Sequence, residues 1–176
     1  NRNWCDDIKE TITYLDLSFN QIVNLPNATF SDLTQLTTLM LVSNPISNIP
    51  GDAFNGLTRL TDLGLSRTNI REMNVNWFTS LTALTDLYLI NNEIRVLPPG
   101  VFQPLSNLSR LSIYGNQIRE INRNSWGSGL ANLVSIYLSD NMINFFDQQF
   151  LIDASSLDFL LLSGNLCVNE DFFNVQ

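Results

Sequence analysis

The sequence predicts a solenoid of the α/β class: a right-handed superhelix with one concave parallel β-sheet and a mostly irregular or 3₁₀ convex side. Three observations predict it. The phrase LxxLxLxxN occurs seven times at a nearly constant step. An aromatic column follows it at the same step. Finally, 28 Leu and 23 Asn fill 51 of the 176 positions. Asn is a turn and cap residue that fills helices and strands poorly. Its excess beside Leu requires a buried apolar column and a turn column in every repeat.

The copies read ITYLDLSFN (12–20), LTTLMLVSN (36–44), LTDLGLSRT (60–68), LTDLYLINN (84–92), LSRLSIYGN (108–116), LVSIYLSDN (133–141) and LDFLLLSGN (157–165). Their last positions are spaced by 24 residues, except for one step of 25 between Asn116 and Asn141. The L-x-L core alternates with period two, which is a short strand with one buried face. Strands one repeat apart must lie parallel, because a long return segment follows each. Asn20, Asn44, Asn92, Asn116, Asn141 and Asn165 end the strands. A carboxamide both donates and accepts, so stacked copies predict a ladder along the solenoid. Thr68 replaces Asn in the third copy and predicts a weaker turn there.

The return limb carries Phe30, Phe54, Phe78, Phe102, Trp126 and Phe150, one per repeat. Stacked aromatics at that step predict a spine on the convex side. Pro26, Pro50 and Pro98 precede it at equivalent places. Proline has no N–H to give, so the limb is expected to be extended or 3₁₀ rather than α-helical.

Composition narrows the function classes. Nine basic residues (eight Arg and Lys9) stand against 17 acidic ones, for a net charge of −8. A nucleic-acid partner is not expected, because phosphate neutralisation needs a cationic surplus. No apolar run is long enough for membrane insertion. The chain has no His, which removes the commonest general base and most zinc sites. GxGxxG, Walker A, GxSxG and HExxH are absent, and the reading is neither an enzyme nor a cofactor or metal protein. The chain starts at Asn1 without a signal peptide, as a processed or trimmed chain would. Asn27-Ala28-Thr29 and Asn107-Leu108-Ser109 are N-glycosylation sequons, a number that 23 Asn residues would produce by chance.

The candidate binding residues lie on the concave sheet. The x positions around the strands hold all four Tyr: Tyr14, Tyr88, Tyr114 and Tyr137. Exposed Tyr among Ser, Gly and Asn is also how antibody paratopes combine rigid anchors with adaptable polar groups. Met40, Val42 and Ile90 add apolar area that a simply solvated sheet does not need. The same columns hold Asp16, Asp62, Asp86 and Asp140 against Arg67 and Arg110. Asp62 and Asp86 share one column in adjacent repeats, so they are expected side by side, where like charges destabilise. The face is either a set of solvated acids balanced by the two Arg or an acidic patch for a cationic ligand group.

The repeat resembles the leucine-rich repeat family, specifically its 24-residue extracellular type, LxxLxLxxNxLxxLPxxxFxxL. LTTLMLVSNPISNIPGDAFNGL (36–57) matches that pattern nearly position for position. The array, together with LPPGVFQPL (97–105), is most similar to the variable lymphocyte receptors of jawless fish and comparable repeat-only immune proteins. The resemblance implies three parts: a truncated N-terminal cap (1–11), seven repeat motifs (12–165) and a short C-terminal cap (166–176). It also implies a secreted or surface protein that binds antigen through the concave positions named above. The partners then expected are microbial surface molecules or a protein ligand with cationic groups. An adhesion, matrix or growth-factor-binding module and a Toll-like receptor ectodomain fragment are the alternatives.

Cys5 and Cys167 stand at the two ends. Six strand gaps of about 4.8 Å separate them, far beyond disulfide reach within one molecule. Their thiols are therefore free, paired with trimmed cap cysteines, or bonded between molecules in a dimer. That family's protruding C-terminal loop has no counterpart in LCVNEDFFNVQ, which puts the expected binding on the sheet. Phe172 and Phe173 are expected to cover the last repeat.

Overall fold

The computed structural model describes Lys9 and residues 11–166. The two Cys, Phe172 and Phe173 lie outside the described residues. The chain forms the predicted parallel solenoid. Seven strands stack in repeat order: β1 (Tyr14–Asp16), β2 (Thr38–Met40), β3 (Asp62–Gly64), β4 (Asp86–Tyr88), β5 (Arg110–Ser112), β7 (Ser135–Tyr137) and β9 (Phe159–Leu161). The register advances one repeat per strand without slip, for example Leu15↔Leu39, Leu39↔Leu63 and Leu63↔Leu87. A one-residue slip would turn this buried column toward solvent. Leu39, Leu63, Leu87, Leu111 and Ile136 are fully buried.

At the end of each strand the Asn carboxamide closes the corner. The Asn116 Nδ2 donates to Ile113 O in its own repeat and to Leu89 O in the preceding one, both at 2.9 Å, while Oδ1 accepts from Ile94 N at 3.0 Å. Asn44, Asn92, Asn141 and Asn165 make the same three kinds of contact. Asn20, in the first repeat, donates to Leu17 O and Ser18 O.

Thr68 departs as expected. Its hydroxyl donates to Leu65 O at 2.8 Å in its own repeat and sends no side-chain bond to the repeat before. Ile46 N, whose equivalents donate to the next Asn, turns to Asn44 O instead.

The aromatic spine is present. Phe30 stacks on Phe54 at 6.3 Å between centroids and Phe78 on Phe102 at 6.1 Å. Trp126 bridges Phe102 and Phe150 at 4.6 and 5.0 Å. The Trp126 indole N–H is buried without a hydrogen-bond partner, whereas that of Trp77 donates to Ile49 O at 3.1 Å.

The return limbs are turns, with 3₁₀ segments at Arg123–Ser125 and Gly127–Asn132. The last limb corrects the expectation by forming a short α-helix, α1 (Gln148–Asp153). Asp147 caps it by accepting from Gln149 N at 3.0 Å, and no proline stands there to forbid it. A second, two-stranded parallel sheet pairs β6 (Glu120–Ile121) with β8 (Phe145–Phe146) on the flank. Asn27 and Asn107 are both exposed, and the Asn107 Nδ2 donates to Thr82 O at 2.8 Å.

Removing the ladder amide by Asn92→Ala strands buried backbone groups of two repeats and is expected to cost about 3 kcal/mol or more. Thr68→Asn restores the missing link and is expected to gain about 1 kcal/mol. Denaturant titration measures both. Trp126→Phe removes the orphaned donor while vacating some volume, so it is expected to change the denaturation midpoint by less than about 1 kcal/mol equivalent. A loss as large as that of a Phe-to-Ala core change overturns this.

Candidate functional site

The in-register strands carry side chains of equal repeat position into contact across the concave face. Asp62 aligns with Asp86, and Asp86 with Arg110. The Asp86 carboxylate takes the Arg110 guanidinium as an ion pair, accepts the Thr85 hydroxyl at 2.9 Å and lies 3.3 Å from the Tyr88 hydroxyl that donates to it. Asp62 receives only the Thr61 hydroxyl, at 2.7 Å. It has no cationic partner among the described residues. The acidic pair is therefore asymmetric: one charge is neutralised within the sheet and the other stands open.

A threonine column supports both carboxylates. The Thr37 hydroxyl donates to the backbone carbonyl one repeat below at 2.9 Å, while Thr61 and Thr85, at 3.0 and 3.1 Å from the equivalent carbonyls, share their single proton between that carbonyl and the adjacent carboxylate. The second position of the motif, which repeats as T in these copies, was the available signal for this ladder. The seventh column is also partly internal. The Ser18 Oγ accepts from Val42 N and the Ser66 Oγ accepts from Ile90 N. Ser66, Ser112, Ser135 and Gly64 are buried, so these x positions do not contribute exposed surface.

Gly64 has a steric role. A Cβ there would lie 2.5 Å from Met40 Sδ, so its absence lets the Met40 side chain lie across β3. Met40, Gly64 and Tyr88 are in register, so the half-buried Met40 thioether covers Gly64 and the half-buried Tyr88 phenol stands on the next strand. Tyr137 lies two strands beyond Tyr88 in the same column, beyond Ser112. Tyr114 and Ile90 share the seventh column, with Tyr114 exposed and Ile90 half-buried.

The remaining predicted residues lie apart from this cluster. Asp16 is on β1 at the edge, where the Ser18 hydroxyl and then its backbone N–H hold the carboxyl below its ordinary value. Arg67 and Asp140 belong to the eighth column. Every non-glycine residue in that column is left-handed, including Phe19 (φ 56), Arg67 (φ 55) and Asp140 (φ 53), and Gly115 and Gly164 fill it elsewhere. Arg67 and Asp140 are exposed there and take no part in the Asp62–Asp86–Arg110 cluster.

Electrostatics follow this geometry. Burial pushes the Tyr88 phenol above its ordinary 10.0, the Arg110 guanidinium pulls it back, and the Asp86 and Asp62 carboxylates push it further up. Tyr88 and Asp86 in turn hold the Arg110 proton more tightly. Among the described residues no three His, Cys, Asp or Glu converge as a metal-ligand set. No helix among them is long and apolar enough to cross a membrane.

A family model described as "Leucine rich repeat" matches residues 10–70 and again 58–118, together more than half of the chain. None of the curated proteins matches the sequence. Solved structures are similar to it at 26–30% identity. In a crystal structure of a TLR13–ssRNA13 complex, the matching chain is 30% identical with a TM-score of 0.81, over 92% of this chain and 23% of that one. A Leptospira interrogans LRR protein is 28% identical with a TM-score of 0.79, over 91% and 40%. A chain of the Drosophila Toll–Spatzle complex is 26% identical with a TM-score of 0.75, over 86% and 20%. The chain thus spans less than half the length of each.

Tyr88 is expected to ionise above pH 10, as a late tyrosinate absorbance component that Tyr88→Phe removes. The unfolded chain loses that proton first, so this contribution is complete below the ordinary value and falls as pH rises through the folded one. A titration curve identical in the Tyr88→Phe variant, apart from total amplitude, refutes the assignment.

Proposed function

Because the chain belongs to the leucine-rich repeat family, we propose that its concave sheet is a recognition surface for a ligand bearing cationic groups. Leucine-rich repeat solenoids are typically interaction scaffolds rather than enzymes. The finer reading follows the resemblance to variable lymphocyte receptors: an extracellular immune protein whose partners are microbial surface molecules. The observation that carries the proposal is the asymmetry at Asp62. Its carboxylate is steadied by the Thr61 hydroxyl, stands beside the Asp86–Arg110 pair and has no counter-ion of its own among the described residues. An ammonium or guanidinium entering there would meet Asp62 and the Tyr88 ring together, a charge contact and a cation–π contact on one side chain. Tyr114, Tyr137, Met40 and Ile90 supply amphipathic and apolar area around it.

The likeness to TLR13 and to a chain of the Toll–Spatzle complex favours a second reading, in which the chain is part of a longer receptor's recognition array. The TLR13 structure is a complex with ssRNA. The carboxylates of Asp16, Asp62, Asp86 and Asp140 argue for a cationic rather than a phosphate-bearing ligand on the concave face here.

The test is binding to whole bacteria, with host cells as the comparison, for wild type, Asp62→Ala and the Asp62→Ala/Asp86→Ala pair across a salt series. Asp62→Ala is expected to lower binding about tenfold or more, as loss of a charge-assisted contact should, with an unchanged or raised thermal midpoint. The pair is expected to abolish binding. Weakening with salt is expected for an exposed charge contact. Binding undiminished in Asp62→Ala sinks the proposal.

A further inference from the structure

The repeat also decides where the cations stand. Arg71, Arg95 and Arg119 are 24 residues apart, so one column carries them along a single flank, between the Asn corner and the aromatic spine. Each can reach the residue that follows the next repeat's Asn. The Arg71 Nε meets Glu93 Oε2 at 2.9 Å, and the Arg95 Nε donates to Gln117 Oε1 at 3.1 Å. The equivalent residue beyond Arg119 is Met142, whose side chain offers no oxygen. The Arg119 guanidinium has no hydrogen-bond or ion-pair partner among the described residues. Arg95 is steadied by an amide oxygen and has no carboxylate partner among them.

Arg95 and Arg119 line one groove of about 550 Å³ between the fourth and fifth repeats. Glu120, Asn122, Asn124 and Val96 also line it, with Val96 66% exposed. The walls are backbone held in place. Gly100 N donates to Asn124 O at 2.8 Å and Phe102 N to Ser125 O at 2.9 Å. The Ser125 hydroxyl donates to Leu97 O at 2.7 Å, and Glu120–Ile121 is paired with Phe145–Phe146.

From this groove we infer a second binding site, for an acidic sugar: a hydroxylated ring carrying a single carboxylate or phosphate group. Two guanidinium forks without carboxylate partners suit one oxyanion. Glu120 accepts ring hydroxyls, and the Asn122 and Asn124 carboxamides both donate and accept. Val96 meets the C–H face of the ring. Glu120 also selects against densely charged polymers, since a phosphate at every step would set one against this carboxylate. The groove lies off the concave sheet, so the two sites stand or fall separately.

Titration calorimetry at low salt with glucuronate, glucose 6-phosphate and glucose tests this. At least one acidic sugar is expected to bind, the carboxylate and phosphate arms showing which oxyanion the forks prefer, with glucose about tenfold weaker or undetectable. Arg95→Gln/Arg119→Gln is expected to cost about tenfold or more, with the thermal midpoint unchanged because both side chains are exposed. Arg71→Gln and Asp62→Ala should leave binding intact. Glu120→Gln should weaken the sugar while tightening inorganic phosphate. The inference is overturned if neither acidic sugar binds, if glucose binds equally, or if the double Arg variant keeps wild-type affinity. Tighter binding of a single-stranded oligonucleotide through the same two Arg overturns it in favour of nucleic acid.

Discussion

Everything in this molecule depends on how the chain turns the corner at the end of each strand. The turn leaves backbone carbonyls and an N–H at the core boundary, where unpaired polar groups cost about 1–3 kcal/mol each. One carboxamide per repeat satisfies them, and it does so across the repeat boundary. Asn92, for instance, donates to Leu65 O and Leu89 O and accepts from Ile70 N, so one amide ties two repeats together. The geometry works only if successive strands are in register. The ladder therefore fixes the register that the Leu columns favour. Thr68 shows the converse: a hydroxyl satisfies its own repeat and leaves the preceding one to close its own turn.

A fixed register turns sequence columns into spatial lines. Asp62 and Asp86 meet because they share a position in the motif, and Arg110 joins them for the same reason. The charges then sort themselves by reach. Arg110 extends to Asp86 and the Tyr88 hydroxyl adds to that pair, so Asp62 keeps its charge without a cation of its own. What the column presents is thus one exposed carboxylate beside a neutralised one. The convex side tolerates more variation than the concave one. Leu108 follows Phe102 by six residues, whereas Leu133 follows Trp126 by seven, and the extra residue is taken up in the 3₁₀ segment Gly127–Asn132 without shifting the strands.

Much of this was legible in the sequence, because the period is nearly constant and its apolar and Asn columns have one physical job each. Strand positions, pairing order, the Asn ladder, the aromatic spine and the Asp62–Asp86 adjacency all follow from counting. Three features do not follow from those two columns. The eighth position is left-handed in every repeat, yet only Gly115, Gly164, Asn91 and Asp140 are residues that favour it, while Phe19, Ser43 and Arg67 carry the strain. The threonine hydroxyls that steady the acids recur at the same step in the first four copies but look like ordinary strand filler. The helix Gln148–Asp153 depends on the Asp147 cap and on the absence of a proline, a local competition that the repeat pattern does not decide. The arginine flank was present as a 24-residue spacing, but its meaning depends on which side chain lies one repeat above, and that is a matter of reach.

The two faces show why such a scaffold can carry unrelated sites. The ladder and the spine use a few positions per repeat and leave the others free of folding duty. A change at a free position alters a surface line without touching the core. In a chain of net charge −8, all four Tyr and the carboxylates Asp16, Asp62, Asp86 and Asp140 fall in the concave columns, while Arg71, Arg95 and Arg119 form a column on the flank. The separation follows from the geometry: residues at different motif positions point in different directions at every repeat, so charges of opposite sign need not cancel. Where they are brought within reach they do pair, as Arg71 does with Glu93 and Arg110 with Asp86. Asp62 on one face and Arg119 on the other have no such partner among the described residues, and a ligand is one way to supply it.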